Sequence, residues 1–259
     1  MSSLSIITST ISPVDIGLFV KKKYSFNLSP DSKLLKAGTN HTYLIDFKEE
    51  KFIFRIYSYQ WRTSEEISEE IKLLLLLQKK GVSISYPIAD NEGQYIQSIA
   101  APEGERYAVL FSYAEGVKIQ NYSPALHYKI GQLMAELHQT TIGLTQKRST
   151  YNATTLIDDS LDYIKEFLSP EDEEMKFLLD LAPFLKKQLN ASPSENIRTG
   201  IVHLDIWFDN LNITADENIT VFDFDFCGNG WLCLDLAYYI MQVYSTEKDP
   251  NEQRLKIEH

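Results

Sequence analysis

Apolar and polar positions alternate in short bursts over the first 111 residues and then shift to helical spacing. Tyr43, Leu44, Ile45 and Phe47 precede the charged turn Lys48-Glu49-Glu50, and Phe52–Tyr57 follows, rich in aromatic and β-branched residues. That pattern predicts a hairpin. Gln94–Ile99 and Arg106–Phe111 predict a second hairpin, with Asn91-Glu92-Gly93 before it and Pro102-Glu103-Gly104 at its turn. Between the two, Ile67, Ile71, Leu74 and Gln78 form one stripe, widened by Leu75 and Leu77. This is a helix, closed by Gly81 as a C-cap after Lys79 and Lys80. The order up to Phe111 therefore reads β-β-α-β-β.

Beyond Asn121 helices dominate. Ser123 is placed to cap a helix that has Pro124 at its first position, and Ile130, Leu133, Met134 and Leu137 supply its apolar stripe. Further helices are expected near 155–168, 171–189 and 234–244, with Pro183 ending or kinking the middle one. Thr199–Leu204 reads as a strand. Leu211/Ile213 and Ile219/Val221, around the polar turn Ala215–Asn218, read as a small hairpin. The change of texture near Ser112–Gly116 divides the chain into an N-lobe (1–111), a hinge (112–116) and a C-lobe (117–259). The N-lobe is expected to hold a five-stranded antiparallel sheet with one helix.

At 259 residues the chain is long enough to bury a core without covalent staples. With 25 Lys and Arg against 36 Asp and Glu, its net charge is −11. That balance argues against nucleic acid as a partner, because neutralising phosphates takes clustered cations. Cys227 and Cys233 fit no zinc or redox spacing and read as two buried free thiols in a reducing cytoplasm. The longest apolar run, Leu73–Leu77, is far short of the ~20 residues of a membrane helix. The N-terminus lacks the basic-then-apolar order of a signal peptide. A cytoplasmic protein without a membrane partner is the expectation; oligomeric state is not legible.

The chemistry concentrates in His203-Leu204-Asp205-Ile206-Trp207-Phe208-Asp209-Asn210 and, past the small hairpin, Phe222-Asp223-Phe224-Asp225. An Asp followed five positions later by Asn, with a second Asp beyond a hairpin, is the pattern of phosphoryl transfer from a magnesium nucleotide. Asn210 and Asp223 offer the hard oxygen donors that Mg²⁺ prefers. Asp205 is then left to accept the proton of an attacking hydroxyl. His203 reads as a loop-holding residue, and Asp235 as a helix cap or a brace for the catalytic loop. Asp209 and Asp225 are extra acids that could orient a cationic substrate, bind a second ion or be solvated. Trp207 could stack on substrate or simply pack. His138 and His41 read as structural and as a surface loop residue, respectively.

These segments resemble the aminoglycoside phosphotransferase and choline kinase superfamily, which shares the protein-kinase fold. Leu234-Asp235-Leu236-Ala237 extends the resemblance, as does Gly131–His138 as the long helix opening the second lobe. The nearest branch is that of homoserine kinase type II and the stress-response kinases. The resemblance implies an α+β, bilobal protein-kinase-like fold with a mainly helical C-lobe. It implies a nucleotide loop at Gly38-Thr39-Asn40-His41-Thr42-Tyr43, involving Gly38 and Asn40. Arg55, in Phe54-Arg55-Ile56-Tyr57, would be the phosphate-binding cation, paired with Glu70 ahead of Glu65, Glu66 and Glu69. Ser112 and Tyr113 would meet the adenine at the hinge. Expected cofactors are Mg²⁺ and ATP or GTP, and the expected partner is a small-molecule hydroxyl substrate: an amino alcohol, a homoserine-like or choline-like compound, or an aminoglycoside. Two departures stand out. Leu204 occupies the place of the glycine usual between the family's His and Asp, and the chain stops at His259, soon after the Asp-Leu-Ala helix. They motivate a rival reading, a non-catalytic nucleotide-binding protein on the same fold. A protein kinase is a further rival, set back by Asp223-Phe224-Asp225 in place of Asp-Phe-Gly.

Overall fold

The computed structural model describes residues 6–191 and 197–258. Residues 1–5, part of the stretch read for a signal peptide, and His259 lie outside the described residues. The chain separates into two compact units. One takes the residues up to Gln120 together with Phe208–Asp223; the other takes Asn121–Trp207 and Phe224 onward. The small hairpin, assigned by sequence to the C-lobe, thus packs with the first unit.

The first unit opens with α1 (Pro13–Lys23), capped by Ser12 with Pro13 at its first position. Strands β1 (Asp31–Ala37), β2 (Asn40–Asp46) and β3 (Lys51–Tyr57) follow, then α2 (Ser64–Lys79), β4 (Pro87–Ile88), β5 (Ile96–Ala101) and β6 (Gly104–Ser112). They form an antiparallel sheet in the order β1-β2-β3-β6-β4, with β5 also paired to β6. Both predicted hairpins are present, but the sheet has six strands, not five, and two helices accompany it. Beyond the strands of the two predicted hairpins the sheet holds β1 and β4, and α1 joins the predicted helix. Ile16, Val20 and Tyr24 of the α1 region join Tyr43, Ile45, Phe54, Ile56 and Leu110 in one buried cluster. Gly17 is where α1 closes on β1, since a methyl there would strike the Ser32 hydroxyl.

A Thr63–Glu66 capping box starts α2, satisfying two orphan N–H groups. Its buried face is Ile67, Glu70, Ile71, Leu73, Leu74 and Leu77, close to the predicted stripe except that it includes an acid.

The second unit begins with α3 (Pro124–Thr141), capped by Ser123 as expected. After β7 (Thr150–Tyr151), a π-helical turn (Thr154–Asp158) runs into α4 (Asp159–Ile164). Next is α5 (Glu173–Ala191), which continues through Pro183 rather than ending there. After β8 (Thr199–Val202), the chain enters the first unit to form β9 (Leu211–Ile213) and β10 (Ile219–Val221), the predicted small hairpin. It returns for β11 (Gly228–Trp231), α6 (Cys233–Thr246) and α7 (Pro250–Glu258). In the second unit β11 pairs parallel to β7 and antiparallel to β8. Cys227 is a buried free thiol as expected, but Cys233 is exposed because it opens α6 on its outer side. Among the described residues no helix is long and apolar enough to cross a membrane.

Candidate functional site

In the first unit the β9–β10 hairpin is held from both sides. Val117 and Ile213 exchange backbone hydrogen bonds at 3.0 Å each; Val221 donates to Ser83 and accepts from Ser85. Asn210 ends a short 3₁₀ turn and is buried, while Asp223 follows β10 with its side chain 42% exposed. Phe222 N–H donates to the Asn210 carbonyl at 3.1 Å, so the hairpin's open end presents both residues. They offer one neutral and one anionic oxygen donor, a set that suits Mg²⁺ completed by phosphates and water.

Arg55 links three parts of this unit. Its guanidinium pairs with Glu70 of α2, donates to Asp223 Oδ1 at 2.9 Å and donates to the Tyr57 hydroxyl at 2.5 Å. Tyr57 in turn donates to Glu70 Oε2 at 3.0 Å. Burial and partners separate the glutamates of α2: Glu70 is 1% exposed, while Glu66 is used in the cap and Glu69 pairs with Lys72. Gly38 lies in the β1–β2 turn and Asn40 opens β2. That loop is fastened to the end of β3, because Ser58 Oγ donates to the Thr39 carbonyl and Ser58 N–H to Asn40 Oδ1 at 3.4 Å.

Other predicted positions come out differently. Ser112 N–H donates to the Tyr86 carbonyl at 2.9 Å, and its carbonyl accepts from Ser85 Oγ at 2.6 Å. Its backbone donor is therefore committed within the fold, unlike the expectation that it meets an adenine edge. Tyr113 follows, with the Lys51 ammonium 5.7 Å from its ring centroid. Asp209, 25% exposed at its side chain, is paired with two cations: Lys36 reaches one carboxylate oxygen at 3.1 Å and Lys118 the other at 2.5 Å. Partial burial alone would raise its pKa, but the two lysines outweigh it and hold it below the ordinary value. His41 is a buried β2 residue rather than a surface one, beside Arg106 at 3.5 Å. Burial, then the Arg106 charge, pushes its pKa down.

In the second unit, a helix start grips the loop that bears Asp205. The buried Asp235 carboxylate of α6 accepts from His203 N–H at 3.1 Å, Leu204 N–H at 2.6 Å and His138 Nε2 at 2.8 Å. Fully buried His203 accepts from Asp205 N–H through Nδ1 at 3.1 Å and packs on Phe224, centroids 4.3 Å apart. Leu204 has φ +64, the left-handed region that glycine enters at least cost. Asp205 Oδ1 accepts from the Tyr238 hydroxyl at 2.7 Å. Tyr238 was not singled out in the sequence, where it reads as one more aromatic on an apolar helix. Asp225 is buried, and its carbonyl accepts from Arg148. Trp207 is half-buried.

Comparison with known proteins accords with this arrangement. An uncharacterised protein of Synechocystis is 33% identical over 237 residues, covering 90% of this chain and 66% of its own length. Homoserine kinase of Bartonella henselae is 23% identical over 241 residues, covering 89% and 70%. The chain thus spans about two thirds of the length of these curated relatives. Among solved structures, amicoumacin kinase has a TM-score of 0.78 at 21% identity, covering 95% of this chain and 75% of the other. A microcompartment-associated aminopropanol kinase has a TM-score of 0.73 at 20% identity, covering 93% and 83%. The fold is therefore the protein-kinase-like α+β fold of these neighbours. The phosphotransferase enzyme family matches residues 32–258, nearly the whole span just described, and the chain belongs to that family.

Proposed function

We propose that this protein transfers the γ-phosphoryl group of ATP to a hydroxyl of a small molecule. The observation that carries the reading is Arg55, bonded at once to Glu70 and Asp223. A strand cation tied to a helix acid and to the acid beyond the catalytic hairpin is how kinases assemble a phosphate grip. In this reading Arg55 positions the phosphates, Asn210 and Asp223 hold Mg²⁺, and Asp205 orients and deprotonates the acceptor hydroxyl. The chemistry Mg²⁺ supplies when bound is neutralisation of phosphate charge. Placement and charge stabilisation do the rest. GTP is an alternative donor, and the cytoplasm the proposed location.

Leu204 bears on the non-catalytic rival. Its backbone follows the left-handed path that a glycine would take, so the loop reaches Asp205 in spite of the substitution. The acceptor classes proposed are amino alcohols, homoserine-like and choline-like compounds, and aminoglycosides. Homoserine kinases and the aminopropanol kinase among the similar proteins favour the small amino alcohols. The test is a MgATP-consumption screen over these compounds. Turnover should appear with at least one, vanish in Asp205→Asn with nucleotide binding retained, and vanish in Asp223→Ala with Mg-dependent binding lost. Full turnover by Asp205→Asn would sink the assignment.

A further inference from the structure

The first turns of α6 carry three polar side chains in one stripe of an otherwise apolar helix: Asp235, Tyr238 and Gln242. The spacing is i, i+3 and i+7, so they share one face. Asp235 holds the backbone N–H groups of His203 and Leu204. Tyr238, one turn on, donates its hydroxyl to Asp205 Oδ1 at 2.7 Å. Gln242, a further turn on, lies near enough to the Tyr238 hydroxyl to act on it electrostatically. Three consecutive loop residues are thus held by one helix face: two by backbone, the third by the carboxylate itself.

We propose that Tyr238 is a positioning residue for Asp205, with Gln242 supporting it from behind; this rests on the phosphotransferase reading above. A carboxylate on a single side-chain torsion can turn either oxygen toward a substrate. A donor fixed on a helix removes that freedom, because it sets which oxygen faces the helix. A phenol suits the task, since it has no rotatable bond beyond the ring except that of its O–H. Burial and the neighbouring Asp205 carboxylate raise the Tyr238 pKa, so the hydroxyl keeps its proton and remains a donor. Tyr238 is half-buried. Its partner is the carboxylate proposed to take the acceptor's proton, so its effect belongs to the acceptor half of the reaction.

The experiment uses the full chain, MgATP and whichever acceptor supports turnover in the screen above. For Tyr238→Phe, kcat should fall about tenfold, the loss expected of one hydrogen bond to a charged group. KM for MgATP, affinity for MgADP by calorimetry and thermal midpoint should stay within error of the wild type. Gln242→Leu should lower kcat less, about threefold, with the same unchanged nucleotide terms. Wild-type kcat in Tyr238→Phe overturns the inference. So does a loss of kcat matched by equal losses in MgADP affinity and thermal midpoint, which marks a purely structural role. Should Tyr238→Phe not fold, wild-type kcat in Gln242→Leu overturns it equally. The failure of the underlying reading looks different: Asp205→Asn then turns over normally, or the wild type consumes no ATP with any acceptor, and this inference falls with it.

Discussion

The guanidinium carbon of Arg55 lies 4.7 Å from the ring centroids of both Tyr57 and Phe111, while its nitrogens reach Glu70, Tyr57 and Asp223. A planar, forked cation stacks and branches in this way; a lysine ammonium supplies one point of charge and no plane. Arg55→Lys should therefore weaken MgATP binding about tenfold despite keeping the charge, which calorimetry measures. Leu204 poses a backbone problem instead. A left-handed φ costs an ordinary L residue about 1–2 kcal/mol, and a β-branched one more. Leu204→Val should lower stability by about 1–2 kcal/mol in denaturant melts, whereas Leu204→Gly should cost less than that. Asp205, Asn210 and Asp223 stand out in the sequence because their spacing mirrors a chemistry that needs them in order, and Arg55 because its strand resembles a family motif. Glu70 was only partly legible, since Glu65, Glu66, Glu69 and Glu70 look alike until burial separates them. Tyr238 was illegible: a tyrosine beside Tyr239 on an apolar helix has no pattern that marks one hydroxyl as aimed at a carboxylate. The bonds of Ser112 and Asp209 were illegible for a related reason. Their partners, Tyr86 and the pair Lys36 and Lys118, stand far away in sequence.

At the scale of elements, the segment at Gly116 secures the β9–β10 hairpin. Gly116 has φ +101, and a methyl there would strike the Ile213 carbonyl. The adjacent Val117–Ile213 pairing depends on that close approach. Gly116→Ala should lower the thermal midpoint by several degrees, since strained backbone of this kind costs about 1–3 kcal/mol. It should also weaken MgATP binding, because the displaced hairpin bears Asn210 and Asp223. A loss of stability with MgATP affinity untouched would separate the two roles. The elements that sequence revealed were those with strong periodicity: α2, α3 and the three hairpins. α1 and β1 escaped for opposite reasons. α1 has only Ile16, Gly17 and Val20 buried, too thin a stripe to read, and β1 (Asp31–Ala37) is mostly exposed along its length. Of the two outcomes open at Pro183, the helix does not end there: α5 continues to Ala191.

At the scale of the whole molecule, each unit buries a histidine that resists protonation. His127, hydrogen-bonded to the Tyr239 hydroxyl at 2.8 Å, is pushed from an ordinary 6.5 to about 4 by burial and then by the Lys256 charge. His41 is lowered in the same direction. Between these limits the unfolded chain takes up protons that the native one refuses, so stability falls as pH drops from about 6.5 toward 4. Carboxylates with depressed values, such as Asp209, lose their contribution only below the ordinary carboxylate range, so a window of roughly pH 5–7 isolates the histidines. The denaturation midpoint should fall across that window, and His127→Gln should make the slope shallower. An unchanged slope in that variant would reject the assignment. The net charge of −11 speaks only to solubility and partners. The membership of Phe208–Asp223 in the first unit has a consequence for biosynthesis. During translation the first unit emerges early but lacks the ribbon that carries Asn210 and Asp223 until Asp223 itself has left the ribosome. Its strands β1 to β6 must wait, incomplete, through synthesis of α3, α4 and α5. Pulse-labelled nascent chains halted before Phe208 should therefore be more protease-sensitive in their first 120 residues than chains halted after Asp223.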